Sequence, residues 1–219
     1  MFHFSKTLAL LPQFLVGAGI TLGVSAVGFL VGTLIGFGLL ACGRSRWLFV
    51  RWIGAIYTSF IRGTPLIVQI FVVYYVLPGL IGIDLPPLVA GVLALGFNSA
   101  AFVAEILRGG LTRIPAGQYE AAKALGLKPA VTWLKVILPQ LMRTIIPPMV
   151  NEFTMLVKAS SILSVIAGVE LTRTAQNIMN VTYRPVEAFC VAAVLYFIVL
   201  FSCSLLTRLL ERRAQGGRA

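Results

Sequence analysis

Charge is scarce in this 219-residue sequence: 11% of its residues are Asp, Glu, Lys or Arg, and only 7 are acidic. Soluble domains carry roughly a quarter of their residues charged. With 58% hydrophobic residues and a mean hydropathy of +0.94, the chain reads as a polytopic membrane protein forming one transmembrane domain over residues 1–219. Histidine is nearly absent. His3 stands alone, and a single imidazole with no second histidine or nearby carboxylate makes neither a metal site nor a catalytic triad. The three cysteines, Cys42, Cys190 and Cys203, lie in or beside apolar segments without a Cys-x-x-Cys pair. They read as small buried residues, not as metal ligands or a disulfide framework. No Gly-x-x-x-x-Gly-Lys-Ser/Thr occurs, so the chain lacks the usual phosphate cradle for ATP. No cofactor or metal is expected.

What charge there is has a pattern. Lys and Arg number 18 and the formal net charge is +11, a value compatible with nucleic-acid binding until its distribution is read. Arg44, Arg46, Arg51 and Arg62 form one group. Arg108, Arg113, Lys123, Lys128, Lys135 and Arg143 form a second, and Arg208, Arg212, Arg213 and Arg218 a third. Each group flanks a long apolar segment, which is the positive-inside pattern of a bilayer protein and not a groove for a phosphate backbone. Nucleic acid is excluded as a partner, and the lipid bilayer is expected.

Five spans are predicted, at about 14–41, 65–80, 88–107, 145–169 and 186–206. The first is too long for a signal-peptide core and reads as a retained helix. Its Gly28, Gly32 and Gly36 recur every four residues, the spacing that lets another helix approach closely. An amphipathic stretch from Arg44 to Phe60 precedes the second span, with Trp47, Trp52 and Tyr57 at interfacial depth. The basic groups put residues 42–62, 108–144 and the tail from 207 in the cytoplasm, and the N-terminus outside.

Polar residues within the spans are few, and each costs free energy in lipid. Asn151, Thr154, Lys158 and Ser161 fall at intervals of three, four and three on one predicted helix face. Arg62 and Gln69, and likewise Asn98 and Glu105, are seven apart. Such stripes suit helices lining a shared aqueous path. The alternative is that Lys158 is neutralised by Glu105 or Glu152 and the stripes serve interhelical hydrogen bonds. Thr144 with Pro147-Pro148 reads as a helix start, where proline is tolerated.

Residues 120–139 stand out between the apolar segments. Glu120 favours a helix N-terminus, Ala121 and Ala122 are strong helix formers, and Gly126 with Pro129 ends a short helix over 121–126. A second amphipathic run, 131–138, leads to Leu138-Pro139. The order Glu-Ala-Ala, three residues, Gly126, nine residues, Val136, one residue, Leu138-Pro139 resembles the cytoplasmic coupling loop of ABC importer permeases. Arg62-Gly63-Thr64-Pro65, Asn98-Ser99-Ala100-Ala101, Arg108-Gly109-Gly110, Asn151 and Lys158-Ala159-Ser160-Ser161 extend the resemblance to the permeases of polar amino acid ABC importers. Ala159 stands where that family usually has Asp or Asn, Val136 where Ile is usual, and Leu141 where Ala is usual.

This resemblance implies an all-α type I permease with a coupling helix in the 108–144 loop, between spans three and four. It implies contact of Glu120, Ala121, Ala122, Gly126, Leu138 and Pro139 with a partner ATPase dimer that binds the ATP. It also implies a second permease copy or sister permease, a periplasmic or surface-tethered solute-binding protein, and an amino-acid-type substrate in a bacterial inner membrane. An intramembrane enzyme is disfavoured because no nucleophile and base converge. An accessory subunit of a non-ABC transporter remains a reading of the residues alone, although no internal inverted repeat marks a self-sufficient carrier.

Overall fold

The computed structural model describes residues 7–215; His3 and Lys6 lie outside them. Eight helices follow one another among the described residues: α1 (Leu11–Gly43), α2 (Leu48–Gly63), α3 (Leu66–Ile81), α4 (Pro87–Thr112), α5 (Ala116–Ala124), α6 (Pro129–Ile166), α7 (Leu171–Thr182) and α8 (Pro185–Gln215). Helices α1, α4, α6 and α8 are each long and apolar enough to cross a membrane. Helices α2 and α3 meet at 111° and together make a fifth candidate.

Helices α1 and α4 share the most extensive interface, and the glycine ladder is its seam. A Cβ at Gly32 would lie 2.8 Å from Ser99 Cβ and 2.9 Å from the Gly96 carbonyl oxygen, and one at Gly36 would lie 2.7 Å from Val103 Cγ1. The absent side chains therefore let the two backbones touch. The ladder serves packing inside this chain. At the end of the bundle away from α5, Phe14 and Ala18 of α1, Leu171 and Ala175 of α7 and Ala188 of α8 form a second apolar cluster.

Proline shapes the helices in two ways. Leu77-Pro78 and Leu138-Pro139 are each preceded by a π-helical segment, Val72–Val76 and Thr132–Ile137, closed by Leu77 N–H to the Val72 carbonyl and Leu138 N–H to the Trp133 carbonyl. Proline has no N–H, and its ring presses on the carbonyl four residues back. Widening the preceding turn by one residue relieves that pressure while the helix continues.

Three expectations are corrected here. The run 131–138 is not a separate amphipathic helix: it is the first part of α6, which runs unbroken for 38 residues from Pro129 to Ile166, so the fourth span begins well before residue 145. Pro147 and Pro148 lie inside that helix and do not start it. The cysteines are not buried, because Cys190 is exposed and Cys42 and Cys203 are partly so.

Candidate functional site

The bend between α2 and α3 is held by one side chain. Gly63-Thr64-Pro65 breaks the helix, with Pro65 fixed at φ −64°, and the last carbonyls of α2 lose their intrahelical donors. Gln69 Nε2 donates to the Ile61 carbonyl (2.8 Å), the Thr64 carbonyl (3.1 Å) and Thr64 Oγ1 (2.9 Å), while its Oε1 accepts from Asn98 Nδ2 of α4 at 2.9 Å. Both Gln69 and Asn98 are thus engaged between helices, the alternative to a path-lining role.

Arg62, the next polar residue of that stripe, turns the other way. It pairs with Glu105 of α4 at 3.6 Å, and Glu105 also binds Arg108 in a short charged contact. Arg62 and Glu105 line a cavity of about 1180 Å³ between α4 and α6, which also takes in Arg113, Arg143, Asn151 and Glu152. Pro147 and Pro148 line it. Neither proline has an N–H to donate to the carbonyls of Arg143 and Thr144, four residues back. The cavity offers both signs of charge, from Arg62, Arg113 and Arg143 against Glu105 and Glu152.

The four-residue stripe expected on the fourth span is divided. Asn151 and Lys158 are exposed on one face of α6, two turns apart. Thr154 is buried, its hydroxyl donating to the Val150 carbonyl at 2.8 Å. Ser161, half-buried, donates to the Lys158 carbonyl. Among the described residues Lys158 makes no ion pair, so Glu105 and Glu152 do not neutralise it. Lys158 lies eight residues before the Ile166 end of α6, just ahead of its 3₁₀ last turns, Ser160–Ile166.

The cavity continues to Pro115, and there α5 begins. This helix starts at Ala116, five residues before the expected start, because Pro115 in extended conformation (φ −60°, ψ 138°) launches the first turn. Its end is as the sequence indicates. Gly126 takes φ +66°, its N–H bonds the Lys123 carbonyl, and the Leu127 N–H bonds the Ala122 carbonyl, each at 3.0 Å. This paired closure needs a left-handed residue. Ala122 is the buried foot of α5, whereas Glu120, Ala121, Gly126, Leu138 and Pro139 are exposed. A short rigid helix thus projects beside a continuous one whose far part lines the cavity.

A sequence model described as "binding-protein-dependent transport system inner membrane component" matches residues 34–216. The chain belongs to this family. It is 37% identical over 213 residues to the arginine transport system permease protein ArtQ of Bacillus subtilis, covering 97% of each chain. It is 34% identical over 197 residues to a putative glutamine transport system permease protein, GlnP, of Rickettsia conorii, covering 90% of each. The crystal structure of an amino acid ABC transporter with histidines superposes with a TM-score of 0.91 at 37% identity, covering 97% of this chain and 99% of that one. The chain is accordingly a multi-pass transmembrane permease of the type I ABC importer fold, and α5 lies within the 108–144 segment where a coupling helix is expected.

One buried cluster has no counterpart in the sequence reading. Glu170, fully buried, precedes α7 and accepts from the Thr172 N–H (2.9 Å) and the Arg173 N–H (2.8 Å). It also accepts from the Tyr196 hydroxyl of α8 (2.7 Å) and, more weakly, from the Thr21 hydroxyl of α1 (3.4 Å). Burial pushes its carboxyl above the ordinary value of 4.5, and the hydrogen bonds from Thr172, Tyr196, Arg173 and Thr21 oppose that rise. The local signal was an acidic residue preceding Leu171-Thr172-Arg173 as a helix cap. Its partners at 21 and 196 are too distant in sequence for any periodicity to reveal. Arg113 and Arg143 were counted only as topogenic charge.

Proposed function

We propose that this chain is the translocation subunit of an importer that moves a polar amino acid or close analogue into the cytoplasm, driven by ATP hydrolysis in a separate ATPase dimer. The observation that carries the reading is the exposed, well-closed helix α5 joined by a short connection to the 38-residue α6. A push on Glu120, Ala121 or Gly126, or on Leu138-Pro139, reaches the cavity at Arg143 and Asn151 through one rigid rod. In this reading the N-terminus is outside and the α5 side is cytoplasmic. That orientation is supported by the basic groups at 44–62, 108–143 and 208–218.

Arg62, Asn151 and Lys158 are the residues proposed to meet substrate. Gln69, Asn98, Thr154 and Ser161 shape the path from behind. The mixed charge of the cavity suits an α-amino acid, whose carboxylate and ammonium both need partners in a low-dielectric place. A second permease copy or sister permease completes the path, and a solute-binding protein delivers the substrate. The test is Glu120→Lys, read in membranes by uptake of labelled amino acid and by recovery of the ATPase with the permease. The expected result is normal insertion with loss of both. Full uptake with the ATPase retained would defeat the coupling assignment.

A further inference from the structure

A second cavity, of about 880 Å³, lies between the end of α1, the polar face of α2 and the end of α4. Helix α2 has two unlike faces. Phe49, Ile53, Ile56 and Phe60 are exposed and apolar. Arg51, Ala55, Thr58, Ser59 and Arg62, on the opposite face, line the cavity. Arg44 and Arg108 complete its basic lining. Four arginines against one glutamate, Glu105, leave a net charge of +3. Glu105 is already engaged by Arg62 and Arg108. Among the described residues neither Arg44 nor Arg51 has an ion pair.

From this lining we infer that the cavity holds the phosphate of an anionic phospholipid, gripped by Arg44 and Arg51. The inference rests on the orientation given above, which sets these arginines at the cytoplasmic interface. Guanidinium groups match phosphate oxygens bidentately and are weakly hydrated, so they suit an interfacial phosphate. The walls separate a lipid from a soluble phosphate. Leu39, Leu40 and Leu48 form aliphatic lining beside the arginines, as the glycerol and first acyl carbons require. Trp47 and Trp52, both exposed, mark the depth at which headgroups lie. The apolar face of α2 then lies along the acyl chains, as in other amphipathic helices that rest in an interface.

The test uses the permease purified with its ATPase and reconstituted in nanodiscs. Photoreactive phosphatidylglycerol and phosphatidylcholine, with the same diazirine near the headgroup, are compared by mapping cross-links by mass spectrometry. The expected result is a preference for phosphatidylglycerol at peptides spanning residues 39–62. It should fall roughly fivefold for each of Arg44→Gln and Arg51→Gln, and less steeply for the lysine variants, which keep the charge but lose the bidentate fork. Recovery of the ATPase with each variant reports that the subunit is folded. Equal labelling by the two lipids, or a preference unchanged in the double glutamine variant, overturns the inference. Absence of labelling by either lipid means another protein covers the cavity and overturns it too. Suppression of phosphatidylglycerol labelling by millimolar inorganic phosphate or glycerol phosphate would assign the site to a soluble phosphate instead. Nanodiscs present the same lipid in both leaflets, so this outcome does not depend on orientation. Labelling of Ser45→Cys from the outside of intact cells would refute the orientation separately.

Discussion

Gly126 offers a graded test of coupling. Its φ of +66° closes α5 through the two 3.0 Å hydrogen bonds to Lys123 and Ala122. A residue with a Cβ pays about 1–2 kcal/mol in that conformation, asparagine less than the others. A nine-residue helix has little stability of its own, so this cost is felt as fraying of its last turn. It corresponds to roughly a 5- to 30-fold fall in the population of the closed end. A Cβ at 126 meets nothing within 4 Å, so the chain itself raises no steric objection. Two causes of failure can therefore be ranked against each other. If conformation governs, uptake and ATPase affinity fall in the order Gly126, Asn, Ala, Val, although asparagine is larger than alanine. If collision with the ATPase governs, asparagine is worse than alanine. The assays are transport in proteoliposomes and binding of the ATPase by surface plasmon resonance. An alanine variant equal to the native protein in both would refute the reasoning.

Gly32→Ala should destabilise the detergent-solubilised subunit by about 1–3 kcal/mol, the range for overpacking, because its Cβ would press on the backbone of α4. Gly38→Ala, which meets nothing, should be near neutral; equal melting temperatures would sink the ladder argument. Lys158→Met should abolish uptake with little change in thermal stability, since no carboxylate among the described residues is left unpaired; a large stability loss would mark Lys158 as scaffold. Glu170 has a raised carboxyl pKa, so its contribution to anchoring α7 is fully present below pH 4.5 and is lost as pH rises through the higher folded value. Amide protection factors in 171–182, corrected for the intrinsic pH dependence of exchange, should therefore fall from acidic to neutral pH. Glu170→Gln should flatten that dependence, and an unchanged profile in the variant would exclude Glu170 as its source.

Much of the frame was legible because lipid is an unforgiving solvent. Runs of apolar residues with basic ends mark α1, α4, α6 and α8, and Gly126 with Pro129 marks the end of α5. The start of α6 was misread because Pro139, Pro147 and Pro148 are helix breakers in water. Here a π-helical turn precedes Pro139, and Pro147 and Pro148 lie within the helix along a polar cavity. The site was half legible. Polar spacing singled out Arg62, Asn151 and Lys158, which the fold leaves exposed. It could not separate them from Thr154, which lies one turn away and faces inward, or from Gln69, whose role depends on a bend of 111°. Spacing along one helix says nothing about which direction its neighbours occupy.

The widened turns before Pro78 and Pro139 have a mechanical consequence. A π-turn is a dislocation: it can migrate along a helix residue by residue, and the stretch it passes rotates by about 100° each time. A rod free to do this would absorb a shove at its base as axial twist. The dislocation at Thr132–Ile137 sits against Pro139, whose missing N–H and ring hold it there. In the proposed coupling, a displacement of α5 would therefore arrive at Arg143 and Asn151 as translation and tilt, with the azimuth of both side chains preserved. The same locking at Val72–Val76 keeps the short α3 in fixed phase with the bend below it.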